Sequence, residues 1–184
     1  MQGAQRIRAW WPAVGAALLL LFAGQLSSAQ TMTEYQVKAA YLYNFAKFVE
    51  WPSRAFENPT APIRLCVLNY QSFESELNQM VEGKTIAGRP VAVVPVENGE
   101  QSHSCHILFV NSSQDRQVQH IIEVLRDTSV LTVGETIEFV EKGGIISFVL
   151  QDDRVRFQVN YKAANRAGLR ISSRLLSVAT RVIE

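Results

Sequence analysis

The chain has 184 residues and a formal charge of +1, which falls to about −1 once Arg6 and Arg8 are set aside with an N-terminal leader. So even a balance excludes nucleic acid and an anionic membrane surface as the main partners, because both select for basic proteins.

Residues 1–29 read as a cleaved secretory signal. Arg6 and Arg8 form its basic start, and Val14 to Ala23 an apolar run shorter than the ~20 residues a membrane span needs. Ser27 and Ala29 are the small residues before a cut at Gln30. Residues 30–184 then make one exported domain.

Thr31 and Glu34 have capping-box spacing, which predicts a first helix from about Met32 to the Trp51-Pro52 stop. On its wheel Gln36, Asn44, Lys47 and Glu50 share one narrow stripe. The rest is apolar apart from Lys38, so the helix must be covered by a core or by a partner. Ile63 to Leu68 and Val91 to Val96 read as strands, with a serine-capped helix over 72–81 between them and turns at Gly83 and Gly88-Arg89-Pro90.

Asn98 to Ser104 is polar and loop-like, and 106–110 is a short apolar strand. Val118, Ile121, Ile122 and Leu125 put a helix over 115–126, followed by a strand at 130–133 and a short helix at 136–142. Ile145 to Leu150 and Arg154 to Asn160 form a hairpin turning at Asp152-Asp153. Its second arm points Val155, Phe157 and Val159 inward, and Arg154, Arg156 and Gln158 outward. Helices at 163–168 and 173–182 flank an extended Leu169-Arg170-Ile171. The fold class is α/β: a three-layer sandwich with a mixed, mainly parallel sheet flanked by helices, closed by a C-terminal hairpin.

Chemistry is sparse. Gly83-Lys84-Thr85 resembles the end of a phosphate loop, but Asn78 stands where the motif needs glycine. His103, Cys105 and His106 lie close together, yet only His120 and Cys66 remain to complete a metal set, and no metal or other cofactor is assigned. Asn111-Ser112-Ser113 suits an anion at a helix start or, more simply, helix caps. Nucleophile elbow, metalloprotease and dinucleotide motifs are all missing from the sequence, which points away from an enzyme. Arg170 sits in an extended piece where alternation turns it from the face of its neighbours, placed to grip a carboxylate or phosphate or, more simply, to be solvated. An even pair of cysteines in an exported chain reads as a disulfide, with two buried thiols as the alternative.

The block Tyr35 to Pro52, with its KAA, YNFAKF and EWP stretches, resembles the start of the YfiR/HmsC-like family of periplasmic proteins. Ile63 to Leu68, Gly88-Arg89-Pro90, Cys105 to Val110, Val130 to Val133, Gly143 to Ile146, Val155 to Phe157 with Asn160, and Ala167 to Ser173 follow in the family's order. The resemblance implies a periplasmic, non-catalytic repressor of an inner-membrane diguanylate cyclase, acting on the cyclase's periplasmic sensor region. Such a repressor lowers cyclic-di-GMP and biofilm formation, and is sequestered by an OmpA-like outer-membrane lipoprotein. It also implies a homodimer and a Cys66–Cys105 bridge. The second cysteine pair of some relatives has no counterpart between Val140 and Ser147. A repressor needs differential binding to one state of its partner and no nucleophile. Tyr43, Lys47 and Trp51 at the ends of the first helix, with Arg170, are the contact candidates; most of that helix is expected in the core. A small-ligand module with a pocket at the strand carboxyl ends, and an exported hydrolase, are the rival readings.

Overall fold

The computed structural model describes residues Met32–Glu184, which form one unit; residues 1–31, including the predicted signal and the cap predicted at Thr31, lie outside them. The first helix, α1 (Glu34–Phe48), starts two residues later than expected. Its capping box belongs to Thr33 and Gln36: the Gln36 N–H donates to Thr33 Oγ1 (3.3 Å) and the Thr33 N–H to Gln36 Oε1 (3.0 Å). Asn44, Lys47 and Glu50 of the predicted stripe are exposed, whereas Ala39, Leu42, Phe45 and Ala46 are buried.

The helix also stops before Trp51-Pro52. Val49 and Glu50 leave it as strand β1 (Val49–Glu50). Then come β2 (Ile63–Leu68), α2 (Gln71–Val81), β3 (Thr85–Ile86) and β4 (Arg89–Val96). No side chain caps α2; the predicted serine cap falls inside the helix. Gly88-Arg89-Pro90 does mark a turn, but a hairpin surrounds it. Ala87 and Gly88, both at positive φ, let β3 fold back onto β4.

A 3₁₀ turn over Glu100–Ser104 leads into β5 (Ile107–Val110), and a second over Ser112–Gln117 precedes α3 (Val118–Leu125). The apolar helix predicted from residue 115 is thus α-helical only from Val118. Next are β6 (Leu131–Gly134), α4 (Glu138–Glu141), and the hairpin β7 (Ile146–Gln151) and β8 (Arg154–Asn160). Asp152 and Asp153 take positive φ at the tip, where aspartate tolerates the left-handed region.

The tail departs most from expectation. After α5 (Tyr161–Arg166) comes β9 (Arg170–Ile171), pairing antiparallel with β1. The helix expected over 173–182 is a single turn, α6 (Ser173–Leu176), and Arg181–Ile183 forms β10, parallel to β8. β10 therefore closes the sheet outside the hairpin. Gln158, expected outward, is buried, on a strand flanked by β7 on one side and β10 on the other.

The main sheet runs β10-β8-β7-β6-β5-β2-β4-β3. Strands β4, β2, β5, β6 and β7 are mutually parallel, while β3 and β8 run against them. The chain leaves β2 first toward β4 and then returns to β5 on its other side, so the sheet's topological switch lies between β2 and β5. Phe45, Phe73, Phe109, Phe148 and Phe157 pack with α1 and α2 on one face. Val118, Ile121, Ile122 and Leu125 of α3 pack with Leu68, Leu108, Val110 and Phe139 on the other. Glycine is needed where Phe139 comes close: a Cβ on Gly134 or Gly144 would lie 2.3 Å or 2.1 Å from its ring.

Candidate functional site

In an α/β sheet the crevice at the switch point, outside the strand carboxyl ends, is where ligands usually sit. Here the chain fills it with its own charges. Lys38 projects from α1, buried, and its Nζ meets Glu135 Oε1 at 2.7 Å just beyond β6. Glu34, one helical turn before Lys38, gives the ammonium a second, half-exposed carboxylate. The other oxygen of Glu135 accepts the Ser112 N–H at 2.9 Å. The amide that the Asn111-Ser112-Ser113 stretch offers to an anion is thus taken by an internal carboxylate. Ser113 Oγ donates to Asn111 Oδ1 (2.8 Å), as in an ordinary turn. Tyr35 and Tyr70 meet edge-on beside this cluster at 5.3 Å. Burial, the Tyr70 hydroxyl, and the negative charges of Glu135 and Glu34 hold the Tyr35 hydroxyl well above the usual tyrosine range, so it stays a neutral donor.

The predicted contact residues gather near the other end of α1. Lys47 and Lys84 both lie over the half-buried Tyr43 ring, with Nζ at 4.2 Å and 4.9 Å from its centroid. Lys84, from the would-be phosphate loop, therefore belongs to a turn. Trp51 donates from Nε1 to the His106 carbonyl (3.2 Å) and is half-buried. Arg170 is exposed between buried Leu169 and Ile171, opposite Glu50 in the β1–β9 pair. Register thus places Arg170 one residue from Trp51, while Tyr43 and Lys47 stand on the preceding turns.

His106 sits beneath this end, 2% exposed, with Phe56 stacked at 4.5 Å and the Trp51 edge at 5.8 Å. Its Nδ1 accepts the Arg64 N–H at 3.1 Å, and Arg89 lies 3.8 Å from the Phe56 centroid. Burial and then the Arg64 cation lower its pKa to about 4, against the opposing pull of the Ala55 carbonyl and with a smaller push from Arg89. The folded state prefers neutral imidazole. Its stabilisation is complete above the ordinary value of 6.5 and is lost as pH falls toward 4, about 3 kcal/mol in all. Urea melts at pH 7, 5.5 and 4 are expected to show a steeper decline for the native chain than for His106→Gln, which keeps an acceptor for Arg64. Parallel declines would refute the assignment. Cys105, its neighbour, is bonded to Cys66 and so has no thiolate to share with His103 or His106 in a metal set.

Sequence reasoning singled out the amides at 111–113 but missed the Lys38–Glu135 pair. The only signal was a lysine on the apolar side of α1.

A profile described as YfiR/HmsC-like matches residues 35–180. Among solved structures, a conserved domain protein from Vibrio cholerae O1 biovar El Tor is similar, with TM-score 0.56 and 11% identity, over 83% of this chain and 61% of that one. The ABC domain from Streptococcus pneumoniae, solved in complex with L-Trp, matches with TM-score 0.52 and 12% identity, over 81% of this chain and 60% of that one. The chain thus spans about three fifths of the length of these structures. At such identity the likeness is one of fold. No curated protein matches the sequence.

Proposed function

This chain belongs to the YfiR/HmsC-like family, and on that footing we propose that it is a non-catalytic periplasmic regulator. It restrains an inner-membrane diguanylate cyclase by binding the cyclase's periplasmic sensor region, and an OmpA-like outer-membrane lipoprotein relieves that restraint. The active form is a homodimer. The observation that carries the reading is the family match over 35–180. The packing supports it: Lys38 and Glu135 occupy the switch-point crevice, and the cavity that both of them line holds only about 130 Å³.

Two measurements test it together: capture of a purified cyclase periplasmic domain, and cyclic-di-GMP content in a deletion strain. Capture with a several-fold rise in cyclic-di-GMP is expected; no capture and an unchanged level would refute it.

A ligand-binding module is the second reading, favoured by the L-Trp complex of the pneumococcal neighbour. Amino acids and nucleotides screened by thermal shift decide it, since a true ligand raises the melting temperature by mass action.

A further inference from the structure

One flank of the sheet is open. Strand β3 covers β4 only at Pro90 and Arg89, with one more bond from the Val91 N–H to the Lys84 carbonyl (3.2 Å). Beyond that point, among the described residues, no strand neighbours the outer side of β4. Peptide groups alternate sides along a strand, and Val96 turns its carbonyl inward to the Asn69 N–H. The Val93 N–H and the carbonyls of Val91, Val93 and Pro95 therefore project outward. Pro95 has no N–H to give, so this edge accepts more hydrogen bonds than it donates.

A groove of about 660 Å³ lies between this edge and α2. Val91, Ala92 and Val93 form its apolar wall, and Glu74, Asn78 and Glu82 stand on the helical wall; no lysine or arginine lines it. The nearest lysine in sequence, Lys84, is turned away over Tyr43. Exposed apolar edges are ready templates for an added strand, and proteins commonly blunt them with lysine or proline. Here Pro90 and Pro95 stand at the two ends of the open stretch and leave the Val93 N–H between them, and the charge beside the edge is acidic.

We infer that the outer edge of β4 is a docking site for an extended, lysine- or arginine-bearing segment of a protein partner. The segment adds as a strand at Val91–Pro95 and directs its cations to Glu74 and Glu82. Main-chain bonds supply the affinity and the two carboxylates the selectivity. The inference rests on the regulatory reading only in assigning a protein as partner.

The test uses a labelled eight-residue peptide of alternating lysine and valine, titrated into the purified protein by fluorescence anisotropy. Saturable binding is expected, at least tenfold weaker for a glutamate–valine peptide and for a lysine–valine peptide N-methylated at alternate amides. Glu74→Lys/Glu82→Lys, at a half-buried and an exposed position, is expected to weaken it at least tenfold in a protein that still unfolds in one cooperative step. Equal binding of the three peptides would overturn the proposal, as would no binding. Self-association abolished by Val93→Pro, with no peptide bound, would give the edge to a second copy and overturn it too. Undiminished capture of the cyclase domain by the double variant would remove this edge as the docking place. Failure of the native protein to capture that domain strikes the regulatory reading instead, and leaves the peptide result standing.

Discussion

Lys38→Met is expected to cost about 3–5 kcal/mol, read as a lower urea midpoint, because it strands the Glu135 carboxylate in a buried site. Glu135 would keep only the Ser112 N–H. Glu135→Gln is expected to cost less, since Lys38 retains Glu34 and the new amide oxygen still accepts from Ser112. Lys38→Met/Glu135→Gln should recover much of the loss, as a neutral pair leaves no uncompensated charge. Three urea curves decide the matter. A Lys38→Met penalty under about 1 kcal/mol, or simple additivity in the double variant, would show that the pair is not a buried charge couple.

Loss of the disulfide is the second large effect. Cys66 lies within β2 and Cys105 just before β5, with their Cα atoms 5.8 Å apart and a separation of 39 in sequence. The bridge ties the two strands that border the switch point, at a place where Cys66 already pairs with Leu108. Restricting a loop of that length in the unfolded chain stabilises the fold by roughly 3–4 kcal/mol, and Cys66→Ala/Cys105→Ala is expected to lose that amount. Both sulfur-bearing residues are nearly inaccessible, at 1% and 4% exposure. Reductant alone should therefore act slowly on the folded protein and quickly once denaturant is present. Rapid loss of the bond under native conditions, or a double variant as stable as the native chain, would contradict this account.

Much of the sheet was legible because its central strands are apolar or nearly apolar runs bounded by turn residues, as in Ile107 to Val110. The β7–β8 hairpin was legible from its alternation and its Asp-Asp tip. The extended Leu169-Arg170-Ile171 was legible and supplies β9, but β1 carries no periodicity of its own and reads as the end of the helix; it is a strand because β9 pairs with it. Residues 173–182 mislead for a different reason. Leu175, Leu176 and Val178 have helical spacing, but Thr180 donates its N–H to Phe157 and the chain joins the sheet instead. In the site, Trp51 and Arg170 could be named from the sequence, but their approach depends on the β1–β9 register. Lys38 looked like an exception on an apolar face because its partner Glu135 lies 97 residues away.

The short clasp between β1 and β9 also bears on how the chain reaches its fold. Val49 must wait for Ile171 before the end of the first helix is tied to β9. Contacts so distant in sequence are closed late, because their entropy cost precedes any reward. A chain emerging N-terminus first holds the end of α1 unclasped until β9 has been made, with apolar surface there open to aggregation and proteolysis meanwhile. A truncation just before Arg170 would spare every central strand, yet leave the helix that most needs cover without its clasp.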